Sequence, residues 1–307
     1  MKGTPLRRIV FSVLALLAVS APVAGAVRVA RSSSTLPTVS TTFGHTPKII
    51  IPNTAPPKKL SATVLEKGTG PVVKKGDLMV VNYVGQIWGG KVFGTSFNQP
   101  VPQAFQIGVK GLIPGWNDTL VGMHVGSRVL LVIPPVDGYG KAGNSRAGIT
   151  GTDTLVFVVD ILGTYSPDIS GDVHATVERT GLGGVNVTGA LGSQPKVTIA
   201  KGTKKPTAML STVLARGHGA PVKAGLVIVQ AVWYNWKGKV AYSTWTAKVP
   251  DASPIGITSE PSGLDPLIGT PLGSRCLIES PASGGEGPFV TVLDIVAEPT
   301  GSVSQSK

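Results

Sequence analysis

The feature that most constrains this chain is that much of it is written twice. The segment VNYVGQIWGGKVFGTSF (Val81 to Phe97) lies over VQAVWYNWKGKVAYSTW (Val229 to Trp245) without a gap. LVGMHVGSRVLLVIP (Leu120 to Pro134) lies over LIGTPLGSRCLIESP (Leu267 to Pro281), and VVDI (Val158 to Ile161) over VLDI (Val292 to Ile295). Upstream, PKIIIPNTAPPKKLSATVLEKGTG from Pro47 is echoed by PKVTIAKGTKKPTAMLSTVLARGHG from Pro195. A repeat of this length points to two copies of one domain plan. A hydrophobic fraction of 42% with only 14% charged residues gives each copy enough apolar surface for a core, and 40 glycines with 25 prolines suit many short strands joined by turns.

The remaining segments follow from composition. Residues 1–26 read as a signal peptide, because Lys2, Arg7 and Arg8 precede an apolar run and Ala24-Gly25-Ala26 supplies a small-x-small cleavage pattern. The same stretch, continued to Val29, also approaches the length of a membrane anchor. Either reading predicts an exported protein, secreted or held at the outer face of the cell membrane. Residues 27–44, rich in Ser, Thr and Pro, read as a disordered tether. Residues 45–165 form the first domain, 166–193 a Gly- and Asp-rich linker, 194–298 the second domain and 299–307 a tail.

The formal charge of +12 falls by three to +9 if the signal cations are lost. The lysines are scattered, with no basic stripe or aromatic RNA-binding signature, so nucleic acid is not an expected partner; association with an anionic envelope is. A single cysteine, Cys276, excludes an intrachain disulfide. The four histidines lack metal-ligand spacing, and no metal or cofactor is expected. Asn117-Asp-Thr fits a glycosylation pattern, which matters only in a eukaryotic secretory route.

The densest stretch is GLIPGWNDTLVGMHVGSRVLLVIPPVDGY (Gly111 to Tyr139). Pro114 fits the first helical position, and Trp116, Leu120 and Met123 share a face at helical spacing. Such a helix is too short to stand alone, so it must lie on a sheet that includes the apolar run Val129 to Ile133. This stretch resembles the FKBP family of peptidyl-prolyl cis-trans isomerases, of an exported bacterial type with two tandem domains and the second degenerate. The resemblance implies an α+β fold: two FKBP-like domains, each a twisted antiparallel half-barrel wrapped around a short helix. It carries the family's catalytic pocket onto Tyr83, Phe93, Ile113, Trp116, Tyr139 and Phe157, and its substrate-binding walls onto Phe105, Leu112 and Ile149.

Implied with the family are isomerisation of X-Pro bonds in unfolded or flexible polypeptides, help to the folding of exported proteins, and macrolide binding. Gly94 and Gln103 depart from the pattern, which usually has an aspartate and an aromatic there, and Asn144 falls near a position that is often histidine. Those departures leave room for a non-catalytic peptide-binding or chaperone module using the same cleft. Trp116, Phe105 and Phe157 each also have a plain packing reading. Against that, the second copy places Ala231, Ala241 and Gly263 opposite Tyr83, Phe93 and Trp116. Pocket walls are lost there while strand residues survive, so the second domain is expected to fold yet to be catalytically silent.

Overall fold

The computed structural model describes residues 36–40, 42–257 and 262–299. The expected signal or anchor, and the tail after Pro299, lie outside them. Among the described residues no helix is long and apolar enough to cross a membrane. The chain divides between Thr164 and Tyr165 into two compact units.

The first unit opens with β1 (Thr38–Val39) and β2 (Ile49–Ile50), which pair antiparallel. There follow β3 (Ser61–Glu66), β4 (Leu78–Ile87), β5 (Val92–Thr95), β6 (Gln103–Gln106), α1 (Pro114–Leu120), β7 (Arg128–Ile133) and β8 (Leu155–Tyr165). Their sheet runs β3-β7-β8-β4-β5, with β6 beside β4. Alternation decides the faces. Val129, Leu131 and Ile133 of β7, Leu155, Phe157 and Val159 of β8, and Met79, Val81 and Tyr83 of β4 enter one core with Trp116 and Leu120 of the helix. Leu130, Val156 and Val158 point to the other face, where Val39, Ile49, Ile51 and Trp88 cover them. Burial on both faces is why β7 and β8 read as unbroken apolar runs.

The expected tether is therefore ordered in its described part. Beyond the β1-β2 pair, the Phe43 N–H donates to Glu66 Oε1 at 2.7 Å and the Gly44 N–H to Asp160 Oδ2 at 2.8 Å. Asp160 also holds Arg128 in a fork, at 2.6 Å to Nε and 2.8 Å to Nη2, and Nη2 donates to the His45 carbonyl at 2.6 Å. Arg128 is fully buried. A Ser/Thr/Pro-rich composition suggested disorder, but a buried ion pair captures the segment's backbone.

The second unit comprises β9 (Thr176–Val177), β10 (Gly181–Leu182), β11 (Val185–Thr188), β12 (Lys196–Ile199), β13 (Leu210–Arg216), β14 (Gly225–Asn235), β15 (Val240–Ser243), α2 (Thr244–Ala247), β16 (Asp251–Ile255), β17 (Arg275–Ser280) and β18 (Phe289–Ala297). Its large sheet runs β15-β14-β18-β17-β13-β9, with β16 beside β14, the same order of pairing found in the first unit, extended by β9. A single 3-10 turn, Asp265–Leu267, stands in place of α1. The expected linker also differs: β9, β10 and β11 fall inside residues 166–193, and β10-β11-β12 form a three-stranded sheet whose Val185, Val187 and Val197 pack with Leu277, Val290 and Val292.

The polar framework recurs with the strands. The Tyr83 N–H donates to Ser96 Oγ at 2.9 Å, and Ser96 to Asn82 Oδ1 at 3.0 Å. At the matching places the Ala231 N–H donates to Thr244 Oγ1 at 2.8 Å, and Thr244 to Gln230 Oε1. Arg275 forks onto Asp294 at 2.6 and 2.9 Å and donates to the carbonyls of Ala190 and Ser193, as Arg128 does to that of His45.

Candidate active site

α1 is the piece the site is hung on. Pro114 occupies its first turn, and Ile113 precedes it in an extended conformation (φ −62°, ψ 141°) with no side-chain cap. Gly115 lets the helix lie on β7: a Cβ there would sit 2.7 Å from Ile133 Cγ2. Asn117, on the next turn, accepts from the Gly108 N–H at 2.7 Å and donates to the Val109 carbonyl at 3.0 Å, tying the incoming loop to the helix. With its backbone so placed, Trp116 is 3% exposed and faces the sheet.

Around Trp116 the rings meet edge to face. Its ring centroid lies 5.7 Å from Tyr83, 5.4 Å from Phe105 and 5.4 Å from Phe157, each at 82–84°. Phe93 adds a fifth ring, 5.4 Å from Phe157 at 82°. Such contacts are worth about 0.5–1.5 kcal/mol each beyond burial and fix ring orientation. Gly85 makes room for them. A Cβ on Gly85 would lie 2.6 Å from the Phe93 ring and 2.8 Å from the Phe157 ring.

These side chains, with Leu112, Ile113 and Tyr139, line one narrow cleft open to solvent. Eight of the nine residues singled out in the sequence therefore converge. The ninth, Ile149, is buried in the same apolar core without lining the cleft. Gly94 and Gln103 lie in β5 and β6 outside the lining.

Tyr139 rides on a flap of 3-10 turns (Pro135–Asp137, Gly140–Ala142, Ser145–Ala147). Asn144 and Ile149 close the flap by exchanging backbone hydrogen bonds of 2.8 and 2.9 Å. Gly143 has φ +63°, and a Cβ there would strike the Ile149 carbonyl oxygen at 2.4 Å. Burial raises the Tyr139 phenol above its ordinary value, with a hydrogen bond from the Asn144 side chain opposing the shift. Burial, and secondarily Tyr139, push Tyr83 up to about 12. Both phenols are hydrogen-bond donors at neutral pH. Two further donors lack partners among the described residues: the buried Trp116 indole Nε1 and the Ile113 N–H.

A family model for FKBP-type peptidyl-prolyl cis-trans isomerases matches residues 70–162, the segment that carries all nine of these residues and all of α1. An FK506-binding protein of Streptomyces anulatus is 36% identical over 117 residues, which is 38% of this chain and 94% of that protein. The chain belongs to the FKBP family. Within the family it is also similar to the FKBP-type peptidyl-prolyl cis-trans isomerase FkpA of Escherichia coli K12, at 42% identity over 99 residues, 32% of this chain and 35% of that protein. The crystal structure of FkpA from Escherichia coli matches with 40% identity over 34% of this chain and 48% of that one, at a TM-score of 0.32.

Sequence reasoning missed Gly85, Asn117 and the Asn82-Ser96 pair. The last had a visible signal, since Gln230 and Thr244 keep a polar pair at the same places in the second copy. Gly85 had none, because the second copy has Trp233 there and no Phe93 to accommodate.

Proposed function

We propose that residues 45–165 act as a peptidyl-prolyl cis-trans isomerase on prolines in unfolded or flexible segments of exported proteins, and that the second unit is a degenerate FKBP-like domain without turnover. The observation that carries the reading is the convergence of Tyr83, Phe93, Phe105, Leu112, Ile113, Trp116, Tyr139 and Phe157 on one cleft.

An X-Pro amide crosses about 18–20 kcal/mol because twisting destroys its resonance, and water favours the planar, more polar ground state. An apolar cleft strips that water away, and fixed donors then favour the twisted carbonyl. Trp116 and Phe157 hold the prolyl ring, with Phe93 and Tyr83 as walls and Phe105 and Leu112 extending the apolar contact; Ile149 supports the flap from beneath. The Ile113 N–H, free of any partner among the described residues, binds a substrate carbonyl, and the Tyr139 hydroxyl donates a second hydrogen bond. No step needs a nucleophile. The same cleft is proposed to take macrolides.

A protease-coupled assay on an X-Pro peptide tests this. Wild type accelerates isomerisation, and Tyr139→Phe lowers kcat/KM by about three- to tenfold, the loss of one hydrogen bond of ~1 kcal/mol. Trp116→Leu lowers it further but also removes a core ring. A second reading, a binding module or chaperone without turnover, is favoured by Gly94 and Gln103. No acceleration by wild type, with X-Pro peptide still bound, would establish that second reading.

A further inference from the structure

The two units use the same two turns differently. In the first, the turn after β2 lies against the β4-β5 hairpin: the Trp88 indole Nε1 donates to the Thr54 carbonyl at 2.9 Å. Trp236 occupies the corresponding place in the β14-β15 hairpin, and the loop after β12 corresponds to the one after β2. There the indole N–H makes no hydrogen bond among the described residues, and a cleft of about 350 Å³ opens between the two turns.

The lining has changed to match. Lys201, Lys205 and Lys237 face this cleft where the first unit has Asn53, Pro57 and Gly89. None of the three pairs with a described carboxylate. Lys204 and Lys239 stand on the same turns, and from residue 179 to 250 the chain carries ten lysines and arginines and no aspartate or glutamate. Both turns are locked. Asn235 Oδ1 accepts from the Lys237 and Lys239 N–H groups at 3.0 and 3.1 Å, and Thr203 Oγ1 donates to the Ala200 carbonyl at 2.7 Å. Three exposed lysines lining one cleft from two hydrogen-bonded turns carry like charge, and an anion bound among them relieves that repulsion. An indole donor beside them adds a directed hydrogen bond.

We propose that the second unit binds clustered phosphate groups in this cleft, with Lys201, Lys205 and Lys237 as the charge contacts and the Trp236 Nε1–H as a donor. Monovalent carboxylates fit less well, because three ammonium groups match an acceptor with several charged oxygens. The phosphates can come from a soluble polyphosphate or from anionic lipid headgroups at a surface. The site is independent of isomerase turnover.

The test uses the full chain. Binding of sodium tripolyphosphate is followed by calorimetry, and binding to phosphatidylglycerol-containing vesicles by cosedimentation against pure phosphatidylcholine. The triple variant Lys201→Gln/Lys205→Gln/Lys237→Gln is expected to lose tripolyphosphate affinity tenfold or more, and Trp236→Phe two- to fivefold. A control that removes the same charge elsewhere, Lys58→Gln/Lys59→Gln/Lys67→Gln, changes it less than twofold. Vesicle binding lost in the cleft variant alone supports the site and assigns it to lipid phosphate; tripolyphosphate binding without vesicle binding supports it and assigns a soluble polyanion. Equal losses in the two triple variants, or no binding of either probe by wild type, overturns the proposal.

Discussion

At the scale of single residues, the cleft is set as much by an absent side chain as by the aromatic ones. Gly85 leaves the volume into which the Phe93 and Phe157 rings are packed. Gly85→Ala is therefore expected to cost about 1–3 kcal/mol of stability by overpacking. It should also lower kcat/KM on an X-Pro peptide, and a denaturant melt beside the peptide assay checks both. The phenols give a second expectation. Burial holds Tyr83 near 12 and Tyr139 above its ordinary value, so both stay protonated donors through neutral and mildly alkaline pH. Turnover should be level from about pH 6 to 9, since it has no cleft group to titrate there. Because the folded Tyr83 pKa is raised above the unfolded 10.0, its contribution to stability is full below pH 10 and is lost as pH rises towards 12. A pH-rate profile with a bell near neutrality would place a histidine or carboxylate in the mechanism.

At the scale of elements, the short helix and the strands around it were legible because Pro114 and the period-two runs speak locally. What was not legible was what holds the segment before β3. Its composition says loop, and the reason it is ordered lies far along the chain, in Arg128 and Asp160. Local composition cannot report a contact made across about a hundred residues. The same blindness hid β10 and β11, whose Leu182, Val185 and Val187 need β17 and β18 before they have a core to join, and β9, which is held by pairing to β13. Arg128→Leu leaves the Asp160 carboxylate buried without its partner, a loss of roughly 3–5 kcal/mol. Asp160→Asn should cost less, since the amide oxygen still accepts from the guanidinium. Chemical denaturation of both variants checks the order.

At the scale of the whole molecule, two units share one order of strand pairing but not one set of cleft side chains. The comparison within a single chain could be read from the sequence, because Tyr83, Phe93 and Trp116 stand opposite Ala231, Ala241 and Gly263 while the buried Arg-Asp pairs stay. It follows that the full chain carrying Trp116→Leu together with Tyr139→Phe should retain no more turnover than the residue of a damaged first cleft, under about 5% of wild type; a larger remainder would mean that the second unit catalyses. One feature of the first sheet reaches into handling of the protein. Val39, Ile49 and Ile51 roof Leu130, Val156 and Val158. A fragment trimmed to the family-matched residues 70–162 would keep the cleft's aromatic rings and lose that roof along with β3, laying bare an apolar sheet face and an unpaired edge at β7. Such a fragment would be a sticky one, joining its own kind through the exposed strand before it met a client.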